Sequence, residues 1–306
     1  MTQPLGRCPA ALADLGDGNL AGAYTIWPVP ILVGNRVVRG AQSMDTMTHP
    51  QFQGQGIFTK LATACYEHAA DNGYEILYGF PNPLSYPGFV KKLGWSHIGD
   101  VSHWVRLIDL RGIQQVPTIL TPFVNLALTC LPSGSSRNFD ISHDRPEDPD
   151  LERLLAAWNG GSKACGVHRS LDWLGWRYAT DANNDYAWVC AYANGNLAAC
   201  GVWGMQNENW GEVADKRAHL VELLGTDRSA LLAVVSTIIG AAKTRGAVLL
   251  ETLSNVEHLN LVLKRTGFFR HRKAPFIVRA LGRAEPAVDV LTLENWQIFG
   301  GDIDTF

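Results

Sequence analysis

The sequence predicts an α/β (α+β) protein made of two tandem lobes, each a mixed, mostly antiparallel and twisted sheet flanked by helices. Two observations predict this fold class. A strand, a glycine-bearing loop, a helix and a second strand follow one another between residues 44 and 80. The turn residues of this stretch recur at the same spacing in the second half of the chain.

Length and composition limit the class of protein. With 306 residues, 46% of them hydrophobic and 18% charged, the chain is long enough for two globular domains. Its net charge of −3 gives no general attraction to nucleic acid. It has neither the ~18–20-residue apolar run of a membrane span nor a basic signal peptide. Six scattered cysteines without C-x-x-C predict reduced thiols in a cytoplasmic protein and no metal site. The net charge and the lack of an apolar span predict no nucleic-acid partner and no membrane partner.

The stretch from Met44 to Phe80 carries the clearest signal. A strand over Met44–Thr48 precedes the loop Gln53–Gly56, which opens directly into a helix over about Ile57–Asn72. A second strand over Glu75–Phe80 follows at once. Apolar residues recur on one face of the helix: Ile57, Phe58, Leu61, Ala62, Cys65 and Ala69.

The loop before this helix predicts an anion-binding site. The first turn of a helix has backbone N–H groups without internal partners and a positive partial charge. Gly54 and Gly56 carry no side chains, so an anion can approach those groups closely, and a phosphate or pyrophosphate fits best. The glycines fit neither the G-x-x-x-x-G-K-[ST] pattern of a P-loop nor the G-x-G-x-x-G pattern of dinucleotide folds.

The run from Gln53 to Phe58 resembles motif A of the GNAT superfamily of acetyl-CoA-dependent N-acyltransferases, which reads Gln/Arg-x-x-Gly-x-Gly/Ala. Phe58 stands where the family has a small residue. About 50 residues, from His49-Pro50 to Leu93-Gly94-Trp95, resemble the segment of the family that surrounds this motif. The alternative is a strand-to-helix turn of another α/β protein, in which the glycines only ease packing.

The resemblance implies a site for acetyl-CoA or another acyl-CoA. Backbone groups on the strand before the loop would hold the pantetheine arm and face the thioester carbonyl: Thr46, Met47 and Thr48. The diphosphate would meet the amides of the loop and first turn: Gln53, Gly54, Gln55, Gly56, Ile57 and Phe58. Asn82 matches a position that often touches the cofactor arm, and it also fits a simple Pro-Asn-Pro turn.

Two residues are candidates for acid and base catalysis. Many family members have a tyrosine acid where this chain has Val90, and Tyr86, one turn earlier, is the candidate substitute. The alternative for Tyr86 is packing between the lobes. Asp45 is costly to bury on a neutral strand, so it is the candidate acid/base that faces the amine, or else it bonds to the neighbouring hairpin. We expect His49 and His103 to be strand residues rather than catalysts.

An internal repeat divides the chain. The sequence Gly-Asn-Leu-Ala occurs at residues 18–21 and again at 195–198. Three further markers keep the same spacing in both halves: Gly73, Asn82 and Gly94-Trp95 in the first, and Gly246, Asn255 and Gly267-Phe268 in the second. We expect a first lobe at 1–131, a linker at 132–137 and a second lobe at 138–306.

The two lobes are predicted to differ. Where the first lobe has Gly54, the second has Asp227, whose carboxylate can cap its own helix, so no coenzyme site is expected there. The first lobe lacks the N-terminal strand and two helices that usually wall the acceptor site in the family. Either the start is truncated, or the second lobe or a second subunit, as in a homodimer, supplies that wall.

The sequence therefore predicts an N-acyltransferase that moves an acyl group, chiefly acetyl, from acyl-CoA to a small primary amine. The resemblance to tandem family members suggests an amino sugar on a nucleotide carrier as the acceptor. The alternative is a non-catalytic binding or scaffold protein of the same fold, because Val90 replaces the tyrosine. A tandem enzyme that uses aminoacyl-tRNA is a third reading, and the lack of a basic excess argues against it.

Overall fold

The computed structural model of the protein describes residues 4–16, 18–109, 138–161, 163–179, 185–205, 217–281 and 288–303. These ranges contain thirteen strands: β1 (Ala10–Gly16), β2 (Asn19–Val33), β3 (Arg36–Thr48), β4 (Ile76–Gly79), β5 (Ser96–Leu107), β6 (Asp140–Ser142), β7 (Cys165–Val167), β8 (Tyr186–Ala193), β9 (Asn196–Met205), β10 (Arg217–Gly225), β11 (Leu249–Ser254), β12 (Phe269–Ala280) and β13 (Trp296–Gln297).

The same ranges contain six α-helices: α1 (Ile57–Asp71), α2 (Tyr86–Lys92), α3 (Asp148–Asn159), α4 (Leu171–Arg177), α5 (Arg228–Thr244) and α6 (Glu257–Arg265). Three 3-10 turns lie at Pro50–Phe52, Leu293–Asn295 and Gly300–Asp302. None of the helices in the described ranges has the length and hydropathy that crossing a lipid bilayer requires.

The first of two compact units contains Met1–Val101, Ser162–His168 and Ala274–Gln297. Its strands lie in the order β13-β7-β2-β3-β4-β12, and β1 pairs with β2. The pairs β3–β4 and β7–β13 are parallel. The apolar face of α1 packs on this sheet because its small and aromatic side chains recur at helical spacing. The buried core formed in this way includes Tyr24, Ile26, Ala62, Tyr66, Ala69 and Leu77.

The second unit contains Ser102–Gly161, Arg169–Lys273 and Ile298–Phe306. Its strands lie in the order β5-β11-β10-β9-β8-β6, and β10 and β11 run parallel. The helix α5 packs on β8, β9 and β10. Its buried side chains are aliphatic and lie on the face turned to the sheet: Leu231, Val234, Val235 and Ile238.

The last strand of each repeat belongs to the sheet of the other. β5, which follows α2, pairs with β11 through residues 102–107, and β12, which follows α6, pairs with β4 through residues 277–280. The two units are therefore discontinuous in sequence. The predicted linker at 132–137 lies outside the described residues, so the boundaries 1–131 and 138–306 stay a prediction.

The internal repeat is present in the backbone. Three strands, a helix, a strand, a helix and a strand follow one another from β1 to β5 and again from β8 to β12. Matched glycines share a left-handed conformation, which side chains disfavour: Gly18 and Gly195 (φ 77° and 77°), Gly73 and Gly246 (76° and 79°), Gly94 and Gly267 (66° and 81°). The predicted fold class of two mixed, mostly antiparallel lobes flanked by helices is confirmed.

Candidate functional site

The N-terminus of α1 is open to solvent. Gly54 and Gly56 have φ angles of 79° and 77°, and Gly56 directly precedes the first helical residue. A Cβ built on either glycine meets no atom within 4 Å. No side chain among the described residues caps this helix, and its first turn has no acidic residue. The amides of the first turn therefore face a space that an anion can enter.

A β-bulge interrupts β3 just before this loop. The pairing of β3 with β2 shifts between Met44 and Met47, so that Asp45 and Thr46 together lie opposite Tyr24. Asp45 has a φ of 45°, a left-handed conformation that aspartate adopts more readily than most residues. A bulge takes backbone groups out of the ladder. Polar groups of Asp45 and Thr46 are thus available to a ligand.

β3 and β4 diverge toward the same edge of the sheet. They pair in parallel from Gly40 to Gln42 on β3, and β4 ends at Gly79. Beyond Gln42, no strand of the described chain pairs with this side of β3. The bulge and the open helix N-terminus border the resulting opening. We call residues 45–48 and 53–58 the backbone cradle. Met47 and Thr48 of this set still pair with β2, whereas the bulge at Asp45 and Thr46 and the first-turn amides of α1 offer backbone groups to water or a ligand.

A buried chain of hydrogen bonds fixes the strand ahead of the bulge. The indole N–H of Trp95 donates to the Tyr66 hydroxyl at 2.9 Å. The Tyr24 hydroxyl is 2.7 Å from both the Tyr66 hydroxyl and Ser43 Oγ. Burial raises the pKa of Tyr24 and raises the pKa of Tyr66 to about 12, so both phenols stay protonated at neutral pH. They hold Ser43, and with it the start of the bulge, in place.

The bulk of Phe58 has a structural reason. Its ring packs edge-on against Phe89 at 5.4 Å and lies 5.9 Å from Tyr24. A Cβ on Gly88 would lie 2.9 Å from the Phe58 ring. Phe58, which stands where the family has a small residue, therefore has room for its ring because position 88 is a glycine. It leaves the helix N-terminus open.

The structure brings the predicted coenzyme-binding residues of the strand and loop to one edge. Half-buried residues among them are Thr46, Thr48, Ile57 and Phe58, and exposed ones are Met47, Gln53, Gly54, Gln55 and Gly56. Gln53 Nε2 donates to the Thr48 carbonyl at 3.3 Å. This bond ties the end of β3 to the loop, so the two halves of the cradle are held together.

Asp45 and Asn82 differ from the expectation. Asp45 is exposed rather than partly buried, which removes the ground for a general base made basic by burial. Asn82 Oδ1 accepts hydrogen bonds from the backbone amides of Leu84 and Ser85 at 3.0 and 2.9 Å. The side-chain carbonyl of Asn82 therefore shapes the turn into α2. His49 is a strand-end residue whose Nδ1 accepts the Gln51 amide at 3.3 Å.

Tyr86, the other catalytic candidate, begins α2. It is half-buried and packs against the core of the first unit rather than standing free. Its hydroxyl lies 2.9 Å from His97 Nδ1, and the two rings meet edge to face at 5.4 Å. His97 was missed from the sequence because no motif or spacing marks it.

The matching helix of the second unit is capped by its own chain, as predicted. Asp227 has a φ of −76°, and its Oδ1 accepts the Ala230 amide at 2.9 Å. The carboxylate occupies the place that an anionic ligand would take. This N-terminus is therefore unavailable as an anion site.

The opening between β10 and β11 is filled by the 3-10 turn Gly300–Asp302. The two strands pair in parallel over residues 217–219 and 249–251. Beyond this point, a Cβ on Gly300 would lie 2.7 Å from Thr252 Oγ1, and one on Gly301 2.8 Å from Glu222 Oε1. The backbone of Gly300 and Gly301 thus fills, between β10 and β11, the position that is open between β3 and β4.

A buried ionic cluster holds this turn. Arg169 Nη1 lies 2.7 Å from Asp302 Oδ1, and Arg169 Nη2 lies 3.3 Å from Glu222 Oε1. The Tyr178 hydroxyl donates to Glu222 at 2.8 Å. Burial alone would lower the pKa of Arg169, but the carboxylates of Asp302 and Glu222 outweigh burial and raise it. The guanidinium therefore stays charged and binds the turn to β10.

Comparison with known proteins agrees with this geometry. Residues 6–98 match the family model described as an acetyltransferase (GNAT) domain. This range contains the backbone cradle, Tyr86 and His97. No curated protein matches the chain.

Several solved structures share the fold at low sequence identity. The GCN5-related N-acetyltransferase from Anabaena variabilis is 12% identical with a TM-score of 0.58, and the alignment covers 86% of this chain and 61% of that one. Saccharomyces cerevisiae N-myristoyltransferase with bound myristoyl-CoA is 11% identical with a TM-score of 0.67, covering 88% and 69%. A probable N-acyltransferase from Enterococcus faecalis is 14% identical with a TM-score of 0.56, covering 87% and 60%. The chain thus spans about three fifths of the first and third of these proteins.

Proposed function

We propose that the protein is an acyl-CoA-dependent N-acyltransferase, because residues 6–98 match the GNAT acetyltransferase family model and the chain has two lobes of similar fold. The observation that carries this proposal is the backbone cradle. Its helix N-terminus is open, its glycines are exposed and its strand is bulged beside an opening in the sheet.

In this proposal the two halves of the cradle have different roles. The amides of residues 54–58 bind the diphosphate, since they combine unpaired donors with the positive end of a helix dipole. Two or three charge-assisted hydrogen bonds, at about 1.5–3 kcal/mol each, contribute on the order of 3–9 kcal/mol before the costs of association. Backbone groups of residues 45–48 take the pantetheine arm and polarise the thioester carbonyl. The bound coenzyme supplies the activated acyl group.

The proposed reaction is transfer of an acetyl group to a primary amine. The exposed carboxylate of Asp45 lies on the bulge itself, where it is available to hold an ammonium group. An amino sugar on a nucleotide carrier is the acceptor class that we propose on the resemblance of the first lobe. The chain's net charge of −3 gives no reason to prefer an RNA-linked acceptor.

Calorimetric titration with acetyl-CoA, followed by thiol release over a panel of amines that includes glucosamine, tests this function. We expect saturable binding at one site and thiol release with at least one amine. No binding at millimolar acetyl-CoA would overturn the assignment. Binding without thiol release from any amine would favour a non-catalytic protein of the same fold.

A further inference from the structure

Three polar side chains of the first unit form a hydrogen-bonded line. The Tyr86 hydroxyl lies 2.9 Å from His97 Nδ1, and His97 Nε2 lies 3.2 Å from Asp100 Oδ1 and 2.9 Å from the carbonyl oxygen of Gly99. The side chains of His97 and Asp100 are 32% and 38% exposed. The line therefore starts at α2 and ends at solvent on β5.

The partners fix the protonation of His97. A backbone carbonyl only accepts hydrogen bonds, so Nε2, which faces the carbonyl of Gly99 and the carboxylate of Asp100, carries a proton. In the neutral imidazole Nδ1 is then bare and accepts the hydroxyl proton of Tyr86. This is the arrangement of a base that is oriented by a carboxylate and takes a proton from a hydroxyl.

The line belongs to one repeat only. In the register set by Gly94 and Gly267, the positions of Tyr86, His97 and Asp100 are those of Leu259, Arg270 and Lys273. Leu259 is fully buried in the core of the second unit. The repeated fold is therefore built without these three polar residues. They occur in the unit whose sheet opening is free and whose helix N-terminus is uncapped.

Tyr86 lies at the edge where that opening is found. β4 ends at Gly79, and the turn shaped by Asn82 leads directly into α2, whose first residue is Tyr86. Two residues on, Gly88 packs against Phe58 in the first turn of α1. Tyr86 thus begins the helix that follows the carboxyl end of β4 and that contacts Phe58 of the cradle through Gly88.

We propose that His97 and Asp100 are positioning residues that make Tyr86 the proton-transfer group of this site, an inference whose catalytic part rests on the proposed acyl transfer. As the amine nitrogen bonds to the acyl carbon, Tyr86 Oη takes a proton from that nitrogen and passes its own proton to His97 Nδ1. Asp100 stabilises the resulting imidazolium. The reverse transfer returns the proton through Tyr86 to the sulfur as the carbon–sulfur bond breaks, which leaves an amide and a thiol.

Two measurements on the free protein test the arrangement itself. In ¹⁵N-histidine-labelled protein, we expect His97 as the Nε2–H tautomer, and we expect Tyr86→Phe to shift the Nδ1 resonance while the Nε2 proton stays. An aryl sulfonyl fluoride, followed by peptide mass spectrometry, reports how nucleophilic Tyr86 is. We expect labelling of Tyr86 to fall about tenfold in His97→Gln, because glutamine accepts a hydrogen bond but does not take the proton.

Matched controls separate this effect from misfolding. Tyr192, half-buried on β8, is the internal reference for labelling and should react equally in all variants. His68→Gln removes an exposed histidine of α1 outside the line and should leave Tyr86 labelling unchanged. A proton on His97 Nδ1, or equal labelling of Tyr86 in wild type and His97→Gln, would overturn the proposal.

Turnover tests the catalytic part. With acetyl-CoA and glucosamine as probes, we expect His97→Gln to lower the thiol-release rate about 100-fold and leave the acetyl-CoA dissociation constant unchanged. Asp100→Asn, which keeps an acceptor but loses the charge, should lower the rate less. Unchanged turnover in His97→Gln would refute the catalytic role. If acetyl-CoA does not bind at all, the proposed function fails, while the tautomer and labelling still decide the arrangement.

Discussion

Each unit has an equivalent opening between two parallel strands, and the two openings differ in whether the chain fills them. Between β3 and β4 the opening is free, and the helix that follows begins at exposed glycines. Between β10 and β11 it is filled by Gly300–Asp302, and the helix that follows is capped by Asp227. The first arrangement leaves backbone groups for a ligand, whereas the second satisfies them within the chain. This fold thus does not need a ligand at this position, and the free opening of the first unit is the one at which we propose that the coenzyme binds.

The largest expected effect is on the filled opening. Arg169→Met would leave the buried carboxylates of Glu222 and Asp302 without their cation, and we expect a loss of about 4–5 kcal/mol in unfolding free energy. Urea denaturation measures it. The matched control is Arg245→Met, which removes an exposed ion pair with Asp185 and should cost under about 1 kcal/mol. Equal costs for the two variants would show that the cluster does not hold the turn.

The free opening should respond in binding rather than in stability. Gly56→Asp places a carboxylate and a strained backbone at the helix N-terminus, so we expect acetyl-CoA binding to weaken about a thousandfold, or about 4 kcal/mol. Gly195→Asp is the matched control. Gly195 has the same φ of 77° and open surroundings, but lies in a hairpin turn of the second repeat. Calorimetry should find wild-type affinity in Gly195→Asp, and a similar loss in both variants would contradict the comparison.

Acid should weaken the second unit. His219 stands where Thr46 stands in the repeat, but it is buried beside Glu251, as is His103. Burial, aided by nearby cations that include Arg217, lowers the pKa of both histidines to about 4. Between about pH 6.5 and 4 these two histidines bind protons in the unfolded chain but remain neutral in the folded chain. The free energy of unfolding therefore falls as pH falls. We expect a loss of about 3 kcal/mol across this window, because the raised pKa of Glu251 offsets part of the histidine contribution.

Urea denaturation from pH 7 to 4 measures this slope. His219→Gln should make the curve flatter in the same window. The control His68→Gln alters an exposed histidine and should leave the slope as it is. A wild-type curve that does not fall between pH 6.5 and 4 would contradict the expectation.

The smallest expected effect is on the capped helix. Asp227→Ala removes the bond to the Ala230 amide and should cost about 1 kcal/mol in unfolding free energy. Acetyl-CoA affinity should not change, because the cap lies in the second unit. A gain in affinity, measured by calorimetry, would show that Asp227 keeps an anion site closed.

Local features of both openings could be predicted from the sequence. The glycines at 54 and 56 and the carboxylate at 227 act through the nearest helix turn, so their spacing is sufficient evidence. The bulge at Asp45 could not be predicted, because it depends on the register that β3 takes against β2. The pairing of β5 with β11 and the packing of Gly300 are contacts between distant parts of the chain, which leave no local pattern.

Backbone amide chemical shifts in the presence of acetyl-CoA test the central claim most directly. We expect the amides of Gly54, Gly56 and Ile57 to shift with a single saturable dependence on acetyl-CoA, while those of Ala230 and Leu231 stay unchanged. Saturable binding that leaves Gly56 and Ile57 unmoved, or that moves Ala230 and Leu231 instead, would contradict a diphosphate site at the open helix.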